Sequence, residues 1–318
     1  MTEYLKQVSL ESTNKYNQLK RQIDSVYSRN PVFANVCIFA CGSMGRFDMT
    51  NNSDLDLFFI EDSSDEQKVS ELHKHVFFAE LYKINKDLGY KMPSRNGAFW
   101  RFTQKSNLLD IGSNLEDYNN SFTARLLLIL ESKPLFNDHL YDSLVSETVK
   151  KYFCDYNDNQ DNFFPLFMMN DILRYWYTLT LNYEFRRDIS DDVYKKHWRR
   201  LKLKFARLLT CYSLFLCLFE PKINQEYVIK CIKMTPMERI EHLGATVPNA
   251  GLVVEQIEAE YEWFLKLRKY ESEWWAKSEN KKSAYEHADT FHNLVTHNLT
   301  QLVANTNMRL REKTELHI

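Results

Sequence analysis

The sequence predicts an α+β chain, with a small sheet-bearing part introduced by a helix and followed by an all-α half. Three observations carry this reading. Only 7 Gly and 7 Pro occur in 318 residues, too few for turn-dense all-β, collagen-like or low-complexity architectures. Two short runs rich in apolar residues, Val32 to Ala40 and Asp54 to Ile60, lie near the start. From Ser121 onward apolar residues recur at helical intervals almost without break. A chain of 318 residues that is 44% hydrophobic can fill one large or two ordinary cores. The division is expected at 1–135 and 136–318, with the sheet in the first part.

The elements follow in order. Between Tyr4 and Tyr27, Leu5, Val8, Tyr16, Leu19, Ile23 and Val26 fall at helical spacing, and Arg29-Asn30-Pro31 ends the helix. The run Val32 to Ala40 leads straight into Gly42-Ser43, the pattern of a buried strand ending in a glycine turn. In the second run Leu55, Leu57 and Phe59 alternate with Asp54, Asp56 and Phe58, so the two aspartates share a strand face. Acids and serines at Glu61 to Asp65 suit a helix start, and Gly89 closes that helix after Leu88. Two further short strands are expected, at Gly97 to Thr103 and Asn107 to Ile111. Beyond them helices are expected at Phe122 to Glu131, Asp138 to Phe153, Phe163 to Arg187, Val193 to Phe219, Gly251 to Lys277 and Tyr285 to Arg311.

Charge and cysteine usage narrow the function class. With 41 Lys+Arg against 43 Asp+Glu the net charge is -2, which excludes a generally basic nucleic-acid coat and leaves only local basic patches. The opening residues have neither an apolar core nor a small-residue cleavage site, so no secretory signal is read there. The most apolar later run, Leu208 to Phe219, is too short to span a bilayer, and no membrane partner is expected. The 6 cysteines form no C-x-x-C pair. Cys37 and Cys41 would sit roughly 13 Å apart on one strand face, too far for a disulfide. Reduced thiols in a cytoplasmic protein are the expectation. His287, His292 and His297 recur every five residues, which rotates them off a common helical face and argues against a zinc site.

The chemistry is concentrated in GSMGRFDMTNNSDLDLFFI, Gly42 to Ile60. Gly42 lets the backbone approach a ligand with no Cβ in the way. The Ser43 hydroxyl and the amides that follow can donate to phosphate oxygens. Asp54 and Asp56, one residue apart on one strand face, would repel if left bare, so they suit a hard divalent cation such as Mg²⁺ or Mn²⁺. A metal pair of this kind clamps the attacking oxygen and the leaving pyrophosphate of an in-line displacement.

This ordered combination of apolar strand, Gly-Ser, spacer and Asp-Leu-Asp resembles the DNA polymerase β nucleotidyltransferase superfamily. The wider string GSMGRFDMTNNSDLD looks closest to its bacterial uridylyltransferase-like branch, where an Arg follows the turn and a Ser precedes the first acid. Arg46 and Ser53 hold those positions here. The segment NLEDYNNSFTARLLLILESKPLFND also resembles the Leu-Leu-Glu-rich stretch of that branch. The resemblance implies a small mixed-sheet catalytic domain, metal ligands at Asp54 and Asp56, and a nucleotide site at Gly42, Ser43, Arg46 and Ser53. It also implies a third carboxylate on a neighbouring strand, a place that Asp110 in LLDIG and Asp117 in NLEDYNN fit equally.

Two stretches of the helical half add cations. Lys195, Arg199 and Lys202 share one face of a helix whose Trp198, Leu201 and Phe205 pack inward, and the resemblance implies a hold on the triphosphate tail. Arg174, three residues from Asp171, either pairs with it or helps hold the nucleotide. The expected activity is Mg²⁺-dependent transfer of a nucleotidyl group from an NTP to an acceptor hydroxyl with release of pyrophosphate. The resemblance favours a protein acceptor. The alternatives are an RNA- or tRNA-directed toxin or phage-defence enzyme and a non-catalytic nucleotide-sensing module.

Overall fold

The computed structural model describes residues 1–50, 53–64, 68–91, 100–111, 120–158, 163–187, 193–268 and 272–306. Its chain separates into two units, Gln7–Cys154 and a second made of Met1–Lys6 with Asp155–Ile318. The first unit holds a sheet of four strands, β1 (Val36–Cys41), β2 (Asp56–Glu61), β3 (Phe102–Gln104) and β4 (Lys133–Phe136), in the order β3-β2-β1-β4. β1 runs antiparallel to both neighbours, and β2 and β3 are parallel, so the sheet is mixed and the chain is α+β.

Every residue of β1 is buried, which is why it reads as an unbroken apolar run rather than an alternating one. On one face Val36, Ile38 and Ala40 join Leu55, Leu57 and Phe59 against two helices, α1 (Glu3–Tyr27) and α3 (Glu71–Asp87). α1 contributes Leu19, Ile23 and Tyr27, spaced four apart on one stripe, and α3 contributes Phe77, Leu81 and Ile84. The Tyr27 hydroxyl, buried among these rings, donates to the Phe77 carbonyl at 2.7 Å. α3 starts at Glu71, later than the expected Glu61 to Asp65, since Glu61 still belongs to β2; Ser70 caps it, its hydroxyl accepting from the His73 amide, and Gly89 follows its end at φ +70°. On the opposite face Phe39 stacks on Phe58 and meets Tyr141 of α6 (Asp138–Tyr152) edge-on at 6.4 Å.

Three elements differ from the sequence expectation. The Asn107 to Ile111 stretch is not a strand but lies across the end of α4 (Lys105–Leu109). A short apolar run fits either period, and here Arg125 of α5 (Ser121–Glu131) decides it by donating to the carbonyls of Leu108 at 3.0 Å and Asp110 at 3.2 Å. β4 was not expected, because Pro134 demotes its run; β4 is an edge strand, where proline is tolerated. Tyr16 and Lys20 of α1 donate to the Pro134 carbonyl and so cover that edge. The expected strand at Gly97 to Thr103 is described only from 100 onward, where β3 begins at Phe102. α6, assigned by sequence to the second part, packs in the sheet-bearing unit.

The second unit is helical throughout its described residues: α7 (Leu166–Arg187), α8 (Val193–Lys202), α9 (Leu208–Cys217), α10 (Gln225–Lys233), α11 (Pro236–Thr246), α12 (Gly251–Leu267), α13 (Ser272–Ala276), α14 (Ser278–Asn293) and α15 (Thr300–Thr306). A π-helical turn at Leu203–Arg207 joins α8 to α9, so the expected helix from Val193 is continuous as far as Cys217. Phe205 in that turn stacks on Phe264 and meets Phe291 at a tilt, both at 4.7 Å. The sequence reading missed α10 and α11, although Thr235 and Glu238 form a reciprocal capping box with Pro236 at the first turn. Arg239, fully buried, donates to the carbonyls of Cys231 at 2.7 Å, Ile232 at 3.2 Å and Met234 at 3.1 Å, and thereby caps α10. Among the described residues no helix is long and apolar enough to cross a membrane. The cysteines are free thiols, with Cys154 alone exposed.

Candidate active site

β1 ends at Cys41, and the chain turns at Gly42 with φ +63°, a conformation that L side chains rarely adopt. Gly42 opens the short helix α2 (Gly42–Gly45), whose last residue packs against the end of α5. A Cβ at Gly45 would overlap the Glu131 carbonyl and stand 3.1 Å from the Ala40 carbonyl, so only glycine fits there. Across the hairpin Cys41 pairs with Asp56 in register. This pairing brings the Asp56 carboxylate against Gly42: a Cβ at Gly42 would overlap its Oδ2 and lie 3.3 Å from its Cγ. β2 starts at Asp56 rather than at the expected Asp54; Leu55 and Leu57 are buried in the core, Asp54 is half-buried and Asp56 exposed on the face opposite Leu57.

A buried ionic network holds the turn. The Arg46 guanidinium grips Asp48 with two bonds, Nε to Oδ2 at 2.9 Å and Nη2 to Oδ1 at 3.2 Å. Its Nη1 donates to Glu131 Oε2 at 2.7 Å, and the other oxygen of Glu131 accepts from the Gly42 amide at 3.1 Å. Asp48 is 4% exposed and Glu131 7%, so this fork is charge-assisted and largely out of water. Phe47, between the two partners, takes a left-handed φ of +55° that turns Asp48 back toward Arg46. The Ser53 hydroxyl accepts from the Thr50 amide at 3.0 Å and closes the turn that hands the chain to Asp54. Lys133, opposite Ala40 in β4, carries its Nζ 5.4 Å from the Phe47 ring.

Burial pushes the Cys41 thiol well above its ordinary range, the Glu131 and Asp56 carboxylates add to the rise, and Arg46 opposes it. Cys41 is therefore a neutral thiol that fills space under the turn.

The structure joins some sequence-predicted residues and separates others. Gly42 and Asp56 meet, Ser43 is the second residue of α2, and Asp54 stands two residues ahead of Asp56. Arg46 is engaged by Asp48 and Glu131, and Ser53 by its own turn. Asp110 follows α4 with its side chain exposed and its carbonyl bound by Arg125, while Asp117 lies outside the described residues. Arg174, Arg199 and Lys202 belong to the helical unit. There Arg174 is loosely paired with Asp171 at 3.8 Å, Arg199 is half-buried and Lys202 exposed. The sequence reading assigned no role to Asp48 or Glu131. The signal for Glu131 was present, since a carboxylate inside the apolar run LLLILES must find partners when buried.

Among the described residues no group of three or more His, Cys, Asp or Glu side chains is gathered to hold a metal. Two carboxylates beside a turn with no Cβ nevertheless suit Mg²⁺, which commonly takes one or two protein carboxylates and completes its shell with water and phosphate. Comparison of the chain with protein-family models, with curated proteins and with solved structures finds no match.

Proposed function

We propose that this chain is a Mg²⁺-dependent nucleotidyltransferase that moves a nucleotidyl group from an NTP to an acceptor hydroxyl. One observation carries the reading: the antiparallel register that sets Asp56 against the Cβ-free, left-handed Gly42, with Asp54 two residues ahead of it. An ordinary hairpin has no need for a carboxylate packed on a glycine, whereas a phosphate-bearing ligand needs close backbone approach and a cation holder at one place. The mixed sheet flanked by helices agrees with the resemblance found in the sequence.

In this reading Asp54 and Asp56 hold the cation, which supplies charge neutralisation and alignment of the phosphates. The Ser43 hydroxyl and the turn around it face the phosphate chain. Arg46 acts as a positioning residue, because its guanidinium is committed to Asp48 and Glu131 and fixes the Gly42 amide through the latter. The acceptor oxygen attacks the α-phosphorus, the bond to the bridging oxygen breaks, and pyrophosphate leaves with the electron pair. The acceptor proton passes to a carboxylate, for which Asp110 and Asp117 are the candidates. The favoured acceptor is a protein hydroxyl.

The test is incubation with each α-³²P-labelled NTP and Mg²⁺, with and without host lysate and tRNA, beside the Asp54→Asn/Asp56→Asn variant. Label moving to protein only with the native acids is the expected result. Label on tRNA would keep the transferase and replace the acceptor. Binding of NTP without any labelled product would replace catalysis by nucleotide sensing.

A further inference from the structure

The helical unit contains a cavity of about 540 Å³ lined only by its own residues, within the range of small-molecule sites. Phe219, Leu243 and Leu302 give it apolar lining. Glu220 is the one charged side chain among the lining residues. Two helices end on the cavity: Cys217, the last residue of α9, and Thr246, the last of α11, both line it. A helix C-terminus presents roughly half a negative elementary charge, but Tyr227 in the first turn of α10 and Asn249 just ahead of α12 bring two helix N-termini to the same lining, so Glu220 alone sets the charge of the cavity.

Among the polar groups of the lining, Asn249 and Asn305 carry amides that both donate and accept, and the two threonines offer acceptors. The Thr246 hydroxyl donates to the His242 carbonyl at 2.8 Å and the Thr306 hydroxyl to the Val303 carbonyl at 2.6 Å. Their protons are spent, and what these two hydroxyls offer a ligand is lone pairs. Tyr227 adds an aromatic ring to the lining, and its hydroxyl stands 3.4 Å from His242 Nε2. Burial first and Lys230 second lower the pKa of that histidine, and Glu220 opposes them.

We propose that this cavity binds a small organic ammonium ion with an apolar body. The ammonium group sits by Glu220, the one charged side chain of the lining, and the body packs on Phe219, Leu243 and Leu302, with Tyr227 available for a cation–π contact. The site belongs to the helical unit and does not rest on the transferase reading.

The experiment is calorimetric titration of the full chain with benzylammonium, 2-phenylethylammonium and tetraethylammonium. The neutral 2-phenylethanol and the anionic phenylacetate serve as matched comparisons. Two variants accompany the native protein: Glu220→Gln, which removes the charge, and Thr246→Trp, which fills the rim at an exposed position. Circular dichroism establishes that both are folded. At least one ammonium probe is expected to bind at least about tenfold more tightly than the alcohol and carboxylate, and to lose about tenfold in each variant. Equal affinity for ammonium and alcohol, unchanged affinity in Glu220→Gln, or no heat from any ammonium probe up to ~10 mM would each overturn the proposal. If Thr246→Trp fails to fold, Leu302→Phe takes its place as the filling variant.

Discussion

Replacing Gly42 by alanine separates the two demands that the turn places on one residue. The first is conformational. At φ +63° an L residue is strained by about 1–2 kcal/mol, and that cost is independent of its neighbours. The second is steric, because the new methyl overlaps the Asp56 carboxylate. Asp56 is exposed, so its side chain can swing aside at a cost of about 0.5–1.5 kcal/mol for a displaced rotamer. The sum, about 1.5–3.5 kcal/mol, leaves a cooperative fold standing, because the core of α1, α3 and the sheet is untouched. The effect on the reaction is larger. Restoring an ordinary contact distance requires the carboxylate to move by about 1 Å, and a misplacement of that size costs about 100-fold in a preorganised site. Gly42→Ala is therefore expected to lose about 100-fold in nucleotidyl transfer while urea unfolding shows a loss of only a few kcal/mol. A cycle with Asp56→Ser isolates the steric part: in that background the alanine should cost only the backbone strain, smaller by about 1 kcal/mol than in the native chain. Identical costs in both backgrounds, or a Gly42→Ala protein that keeps more than half of its transfer rate, would refute the claim that this close approach builds the site.

Two other expectations follow from the same structure. Glu131→Ala removes the acceptor of the Gly42 amide and one of the two carboxylates that Arg46 is seen to grip, and should destabilise the sheet-bearing unit by about 3 kcal/mol; Glu131→Gln, which keeps one acceptor, should cost about half of that. Urea midpoints measure both, and a loss below about 0.5 kcal/mol for the alanine variant would mean that the network does not hold the turn. In the helical unit His197, His242 and His292 all have pKa values lowered, chiefly by burial, with Arg200 and Lys281 adding at His197, Lys230 at His242 and Lys204 at His292. The unfolded chain then binds more protons than the folded one between the lowered values and the ordinary value of about 6.5, so stability rises with pH across that window and is lost as pH falls through it. The urea midpoint of the helical unit should accordingly drop from pH 7 to pH 5, and a flat profile would show that these imidazoles protonate without resistance.

Legibility from sequence followed the range of the interactions involved. α1, β1, β2, α3, α5 and α6 could be read because each declares itself within its own residues: a stripe at Leu19, Ile23 and Tyr27, an unbroken run at Val36 to Cys41, an alternation at Asp54 to Phe59. α4 could not, because its five residues carry no period, and the group that fixes it, Arg125, arrives from α5. β4 was masked by Pro134, which argues against a strand until the edge position is known. α11 is the opposite case, since Thr235, Pro236 and Glu238 spell a helix start and were passed over.

The site divides along the same line. Gly42 and Asp56 stand close in sequence, and the hairpin between them is the shortest path by which a chain can set an acid beside a turn, so their juxtaposition was legible. Arg46 was legible only as a cation next to a phosphate-type turn. Its partners decide what it does, and one of them, Glu131, lies 85 residues away. A guanidinium that bonds two buried carboxylates has little capacity left for a phosphate, because leaving them would expose two unpaired charges in a place nearly closed to water. The same network explains why the turn is glycine at both ends. Gly42 admits Asp56 from the strand, and Gly45 admits the end of α5, which brings Glu131 within reach of the Gly42 amide. The acid that faces solvent and the acid that holds the backbone are thus set by two glycines three residues apart, and substituting either should be felt at Asp56.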